Sequence, residues 1–153
     1  MLKEELENEG IKELGDFQYN EHGKPFLSQQ PIANSQQLFF SLSHCKEGIA
    51  VVVDDRPIGI DIESIRRADK DLIVRTMNEE EQVQIAEVAE PDRAFTRLWT
   101  QKEAVVKAQG TGIESFEQLR NIRVQNTEYR VQTFETEKYI YSIAYGELFG
   151  FRP

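Results

Sequence analysis

The chain has 153 residues, 39% of them hydrophobic, which is the size and composition of one ordinary domain with a single core. Its formal net charge of -9 argues against non-specific binding of nucleic acid, which depends on many Lys and Arg contacts to phosphates. A lone Cys45 excludes an internal disulfide, and no apolar stretch suits a membrane span or a secretory signal, so we expect a cytoplasmic protein.

The first part of the sequence predicts a helix, a loop and three strands. Residues 2–14 are rich in Glu, Lys and Leu, and Gly15 follows as a stop signal. The next stretch contains Gly23, Pro25 and Pro31, and this many breakers predict a loop. Three runs rich in aromatic and β-branched residues then predict a three-stranded meander, at 38–43, 48–53 and 58–62.

The second part of the sequence predicts three helices followed by strands. The helices are expected around 71–77, over 79–90, and after Pro91 and Asp92 up to a stop at Gly110. Three later runs predict strands, at 121–124, 129–134 and 138–145. The fold class is therefore α+β, with an antiparallel sheet packed with helices, and we expect a single domain over residues 1–153.

Two carboxylates lie two residues apart on a predicted strand. Asp61 and Glu63 share one face, whereas Ile60 and Ile62 point into the core. Like charges held side by side are unfavourable unless a cation neutralises them, and hard oxygen ligands suit Mg²⁺ or Mn²⁺. Taken alone, such a pair at a strand end is more often solvated surface.

A second set of candidate residues lies on the third predicted helix. Trp99, Glu103 and Lys107 are spaced by four and therefore share one helix face. The ordinary alternative is a surface ion pair, because Glu followed by Lys four residues later is a common stabilising arrangement. For this motif alone, that alternative is the stronger one.

Two shorter motifs carry alternatives of their own. His44 and Cys45 are neighbours on a strand and point to opposite faces, so they are poorly placed as a nucleophile pair. We interpret Cys45 as a small buried residue, and Ser43 with His44 as phosphate donors, although a lone histidine at a strand end is more often structural. Asn78 and Glu81 have the spacing of a helix capping box, although Glu81 could also accept a proton from an attacking hydroxyl.

Four segments in this order resemble the 4'-phosphopantetheinyl transferase superfamily. They are His-Gly-Lys-Pro-Phe-Leu (22–27), Leu-Ser-His (42–44), Ile-Gly-Ile-Asp-Ile-Glu (58–63) and Trp-Thr-Gln-Lys-Glu-Ala-Val-Val-Lys (99–107). Each motif alone is weak evidence for the family, but the four together in this order and spacing are strong evidence. The resemblance is closest to the surfactin-synthetase-activating type and covers roughly residues 22–145.

The resemblance implies an enzyme that transfers 4'-phosphopantetheine from coenzyme A to a serine of an acyl or peptidyl carrier protein. Adenosine 3',5'-bisphosphate would leave, and Mg²⁺ or Mn²⁺ would assist. By the same resemblance, Glu81 matches the general base, and one side chain could serve both as base and as helix cap. The other matched positions would hold the metal (Asp61, Glu63, Glu103), neutralise phosphate charge (Lys107) or contact the phosphates of coenzyme A (Lys24, Ser43, His44).

The sequence departs from this type at its N-terminus, because only about twenty residues precede Gly23 where relatives have a first half similar to the second. One outcome is a minimal enzyme that completes its coenzyme A site as a homo-oligomer. It resembles the short holo-acyl-carrier-protein synthase branch in Lys-Ala-Gln-Gly-Thr-Gly (107–112). A second is a shortened protein that binds metal but transfers slowly, and a third is a non-catalytic module that binds coenzyme A or carrier proteins. Three converging acids are costly without a metal, which favours the enzyme.

The surface that would meet a carrier protein must be locally basic, because carrier proteins are acidic and this chain is acidic too. Four cations follow the first acidic motif closely and are the candidates for that contact: Arg66, Arg67, Lys70 and Arg75.

Overall fold

The computed structural model describes residues 17–21, 25–27 and 38–146, and these form antiparallel sheets packed with helices, as the predicted α+β class requires. The predicted helix at 2–14 lies outside the described residues. The strands are β1 (Phe17–Tyr19), β2 (Pro25–Leu27), β3 (Phe39–Cys45), β4 (Gly48–Asp54), β5 (Ile58–Ser64), β6 (Tyr129–Glu135) and β7 (Tyr139–Gly146). The helices are α1 (Lys70–Thr76), α2 (Glu79–Glu87), α3 (Pro91–Gln109) and α4 (Phe116–Asn121), followed by a 3₁₀ turn, Val124–Asn126.

Local signals set the three central helices, all of which were predicted. The side chain of Asp69 accepts hydrogen bonds from the first backbone N–H groups of α1, and Asn78 does the same for α2. Pro91 begins α3, where its missing N–H costs nothing. Gly110 ends α3 in the left-handed conformation, with φ of 76°, which glycine adopts without strain.

The strand pairing differs from the predicted meander. β3 pairs with β4, but β5 pairs with β7, in the sheet order β5-β7-β6. On the other edge of β5, the side-chain hydroxyls of Ser41 and Ser43 accept hydrogen bonds from the backbone N–H groups of Ile60 and Ile62. The three-stranded meander was therefore wrong, because serine hydroxyls satisfy the edge of β5 where a backbone ladder to β4 was expected.

Two further elements correct the prediction. Pro25, placed in a loop, begins β2, and β2 pairs antiparallel with β1; the first position of a strand tolerates proline. Gly23 and Pro31 of that predicted loop lie outside the described residues. The strand predicted at 121–124 was wrong, because Asn121 ends α4 and Val124 begins the 3₁₀ turn. The N-cap Ser115 and the buried Leu119, at 1% exposure, stabilise α4 as a helix.

The long helix α3 contacts both the sheet and the other helices. Its first half packs in a cluster with α1 and α2, formed by Met77, Ile85, Ala94, Phe95 and Leu98. Its second half packs on the sheet through Ala104, Val105, Ala108 and Ala144. Gly59 of β5 is in backbone contact with α3, since a Cβ there would lie 2.1 Å from the carbonyl oxygen of Ala104. This contact brings the polar residues of β5 against those of α3.

Among the described residues, no helix is long and apolar enough to span a membrane.

Candidate active site

Asp61 is the central carboxylate of the contact between β5 and α3, and it is only 4% exposed. Its Oδ1 accepts a hydrogen bond from the Ser43 hydroxyl at 2.9 Å and another from Lys107 Nζ at 2.7 Å. Its Oδ2 is buried and has no hydrogen-bond partner within the described part of the chain. A buried, unpartnered carboxylate oxygen is costly, so Oδ2 is an atom that a cation would stabilise.

Two further carboxyl groups lie within electrostatic range of Asp61. Glu103 of α3 is 8% exposed, and burial together with the Asp61 charge raises its pKa to about 7. Burial and the same Asp61 charge also raise the pKa of Glu63. Lys107 and Arg66 oppose both shifts, but they do not cancel them. The three acids therefore form one cluster that carries more negative charge than its protein surroundings neutralise.

The donor set of this cluster fits a divalent cation. All three groups offer carboxylate oxygens, which Mg²⁺ and Mn²⁺ prefer, and Asp61 contributes an oxygen with no other partner. In the described residues, however, no three His, Cys, Asp or Glu side chains stand close enough together to ligate one ion as they are placed. The ammonium of Lys107 lies against Asp61 instead.

We predict that Glu103 makes the free energy of unfolding, measured with a chelator present, fall as the pH rises from about 4.5 to about 7. Its pKa is raised in the folded protein from 4.5, so the folded state binds the extra proton across this window, and stability is lost as that proton dissociates. The effect should be on the order of 2–3 kcal/mol. Urea unfolding with EDTA between pH 5 and pH 8 measures it, and Glu103→Gln should flatten the decrease. An identical slope in the variant would contradict the assignment.

Of the three residues expected to contact coenzyme A phosphates, Ser43 lies in the cluster. Its hydroxyl, in a residue 7% exposed, donates to Asp61 and accepts from the backbone N–H of Ile62, so it orients the carboxylate. His44 points to the opposite, exposed face of β3, where its strand partner is Ile49. Lys24 lies outside the described residues. Any phosphate contact by these three residues stays a prediction.

Glu81 forms the capping box that its spacing predicted. Its Oε2 accepts the backbone N–H of Asn78 at 2.8 Å, and its own N–H donates to Asn78 Oδ1 at 3.1 Å. The same Oε2 also accepts a hydrogen bond from Lys102 Nζ at 2.6 Å.

Sequence interpretation missed Lys102, although its position indicated burial: it lies between Leu98 and Val105 on the buried side of α3. A lysine on an apolar helix face needs a buried partner.

Comparison with known proteins matches the segment that carries this cluster to a protein family. Residues 57–147, more than half of the chain, match the family described as the 4'-phosphopantetheinyl transferase superfamily. The chain belongs to this superfamily. The matched segment contains all of β5 and α3, and with them Asp61, Glu63, Glu103 and Lys107. The resemblance noted from four short motifs is thus confirmed at the level of the family.

Curated members of the superfamily match the chain over part of their length. It is 37% identical over 99 residues to 4'-phosphopantetheinyl transferase psf-1 of Bacillus pumilus, covering 63% of this chain and 40% of that protein. It is 35% identical over 111 residues to 4'-phosphopantetheinyl transferase AcpT of Salmonella typhi, covering 69% and 55%. With 4'-phosphopantetheinyl transferase HetI of a Nostoc strain it shares 32% over 122 residues, covering 76% and 51%. The chain thus spans roughly half, or less, of these superfamily members.

Proposed function

We propose that the chain transfers the 4'-phosphopantetheine group from coenzyme A to a serine of an acyl or peptidyl carrier protein, in the cytoplasm. The observation that supports this most is the cluster of Asp61, Glu63, Glu103 and Lys107 within the segment matched to the superfamily. Three acids and a lysine, drawn from one strand and one helix, suit a reaction whose main requirement is to position and neutralise phosphates.

We further propose that Asp61, Glu63 and Glu103 hold Mg²⁺ or Mn²⁺. Asp61 would contribute Oδ2, the buried oxygen without a partner among the described residues. When bound, the ion would supply positive charge to the pyrophosphate of coenzyme A. The raised pKa of Glu103 supports this assignment, because a cation would relieve the repulsion and burial that raise it.

The proposed reaction is a phosphoryl transfer with balanced bonds. The carrier serine oxygen bonds to the β-phosphorus of coenzyme A, and the bond from that phosphorus to the bridging oxygen breaks. Adenosine 3',5'-bisphosphate leaves with the bridging oxygen, and the serine proton passes to Glu81 or to water. Lys107, whose side chain is 29% exposed, would turn its ammonium from Asp61 towards the phosphates and offset their charge.

A second candidate function is a non-catalytic module that binds coenzyme A or carrier proteins. It is favoured by the placement of the acids, because no three His, Cys, Asp or Glu side chains of the described residues stand close enough to ligate one ion, and the Lys107 ammonium lies against Asp61. The retained acids argue for the enzyme, because a binding module has no evident need for three mutually repelling carboxyl groups, of which Asp61 and Glu103 are buried and Glu63 is half-buried.

The deciding experiment incubates the protein with coenzyme A, Mg²⁺ and several apo carrier proteins and measures carrier mass. The gain of one phosphopantetheine per carrier supports the enzyme. No gain, together with metal-dependent binding of coenzyme A, supports the binding module instead. Size-exclusion chromatography tests the proposed homo-oligomer separately, and a monomer that transfers normally would contradict it.

We predict that Arg67→Glu combined with Lys70→Glu raises the KM for the carrier protein about tenfold, because both exposed cations would face an acidic partner. Coenzyme A binding should not change, and Arg130→Glu combined with Lys138→Glu, at exposed positions of β6 and the β6–β7 turn, serves as the matched double charge reversal. Arg66 is left intact because it lies over the Trp99 ring, 5.5 Å from its centroid, and influences Glu63. An unchanged carrier KM would remove Arg67 and Lys70 from the interface.

A further inference from the structure

The ammonium of Lys102 lies at a junction of three helices. The residue is 1% exposed, and its Nζ donates to Glu81 Oε2 at 2.6 Å, to the Thr76 carbonyl at 3.0 Å and to the Leu119 carbonyl at 2.9 Å. An ammonium has three N–H groups, so all of them are used. Thr76 ends α1, and Leu119 lies in the last turn of α4. Both carbonyls lie at helix C-terminal ends, where backbone acceptors need partners from outside the regular helical pattern, and the Leu119 carbonyl also accepts the Ile122 N–H at 3.2 Å.

The third partner, Glu81, is held by one of its two carboxylate oxygens. Oε2 accepts from both Lys102 and the backbone N–H of Asn78. Within the described residues, Oε1 has no hydrogen-bond partner, and the Glu81 side chain is 11% exposed. Two donors on one oxygen fix the orientation of the carboxylate, and the other oxygen stays open to accept a proton from a hydroxyl within hydrogen-bond reach.

The same turn of α3 carries the residue that faces the acid cluster. Lys102 immediately precedes Glu103, and side chains of consecutive helical residues point about 100° apart. Lys102 therefore faces α1, α2 and α4, whereas Glu103 faces the carboxyl group of Asp61. One rigid helical turn thus sets the position of Glu81 relative to Glu103.

We propose that Lys102 is a positioning residue for the transfer reaction: it fixes the first turn of α2 so that Glu81 Oε1 is directed to accept the proton of the carrier serine. This inference rests on the proposed function. Lys102 itself contacts neither substrate, and it acts through Glu81.

The other charges near this turn are more accessible to solvent. A cleft of about 1050 Å³ borders the N-terminus of α2. Its charged lining residues come from α1, α2, α4 and the segments beside α4: Arg75, Glu79, Glu80, Glu114, Glu117, Arg120 and Arg123. Solvent screens exposed charges strongly, and none of these residues donates a hydrogen bond to Glu81. The buried Lys102 is therefore the cation that orients this carboxylate.

The test compares Lys102→Met, which keeps the length and apolar stem of the side chain but removes the ammonium, with the wild type. We expect kcat to fall about 100-fold, the usual size of a lost proton-transfer contribution, while the KM for coenzyme A changes less than about threefold. Lys138→Met, at an exposed position in the β6–β7 turn, is the matched control. A kcat within threefold of wild type would overturn the proposal.

A double variant separates positioning from general structural support. If Lys102 acts through Glu81, adding Lys102→Met to Glu81→Gln should lower kcat less than about threefold further. A further 100-fold loss would show that Lys102 acts by another route and would overturn the proposal. If Lys102→Met does not fold, Lys102→Gln, which keeps two donors for the helix carbonyls, takes its place with the same expected coupling.

Hydrogen exchange supplies a measurement that does not depend on turnover. In Lys102→Met, the backbone amides of Asn78 and Glu81 should exchange at least about tenfold faster, because the capping box loses its anchor. The amides of Ile60 and Ile62, which are bonded to serine hydroxyls, should keep their rates. Faster exchange at the cap in a protein that transfers nothing would reject the proposed function and retain the anchor. Unchanged exchange at the cap would reject Lys102 as a positioning residue.

Discussion

Replacing Glu103 by Gln is expected to lower phosphopantetheine transfer by at least about 1000-fold while leaving the protein folded. Glutamine keeps the shape of the side chain and removes the charge of a residue that is 8% exposed in the cluster with Asp61. Each tenfold loss in rate corresponds to about 1.4 kcal/mol of transition-state stabilisation. Losing one of three proposed carboxylate ligands would weaken the binding of the metal and so reduce the neutralisation of phosphate charge that the metal would provide.

The measurement is single-turnover transfer to an apo carrier protein at saturating Mg²⁺ and coenzyme A. The matched control is Glu87→Gln, at the exposed last residue of α2, which should transfer at the wild-type rate. Thermal unfolding with EDTA at pH 8 should show the Glu103 variant at least as stable as the wild type, because an unfavourable buried charge is gone. Transfer within tenfold of the wild type would remove Glu103 from the proposed metal site.

The parts of this site that the sequence predicted are those set by local rules. Strand alternation predicted that Asp61 and Glu63 share one face of β5, and helical periodicity predicted that Glu103 and Lys107 share one face of α3. The ends of α3 followed from Pro91 and Gly110, whose backbone preferences act without help from the rest of the fold. Family membership then followed from the order of short motifs along the chain.

The parts that the sequence did not predict depend on contacts between distant segments. β5 could pair with β4 or with β7 by composition alone, and the pairing with β7 joins residues more than seventy positions apart in the sequence. The Ser43 hydroxyl was interpreted as a phosphate donor, but it lies 2.9 Å from Asp61, which no local pattern reveals. The three partners of Lys102 likewise come from separate helices.

The second large effect is expected from Gly59→Ala, which should destabilise the protein by about 3 kcal/mol or more. A Cβ at this position would lie 2.1 Å from the Ala104 carbonyl oxygen and 2.4 Å from the Ala108 backbone nitrogen. Both are main-chain atoms within α3, so no side-chain rotation relieves the clash. The helix must move away from β5, which would open the core on both sides of the contact.

The matched control is Gly48→Ala, at the first residue of β4, where an added Cβ would meet no atom within 4 Å. Its free energy of unfolding in urea should lie within about 0.5 kcal/mol of the wild type, as for surface substitutions in general. Equal stability of the two variants would show that β5 and α3 are not in backbone contact.

The same substitution tests the geometry of the site as well as its stability. Asp61 and Glu63 are carried by β5, whereas Glu103 and Lys107 are carried by α3, and Gly59 lies where these two elements touch. Any folded Gly59→Ala protein must therefore hold the carboxyl groups farther apart, and it should bind Mg²⁺ more weakly than Gly48→Ala at equal folded fraction. Calorimetric titration with Mg²⁺ below the unfolding transition measures this difference. Unchanged affinity in a destabilised variant would mean that the contact at Gly59 supports the core and does not set the spacing of the proposed ligands.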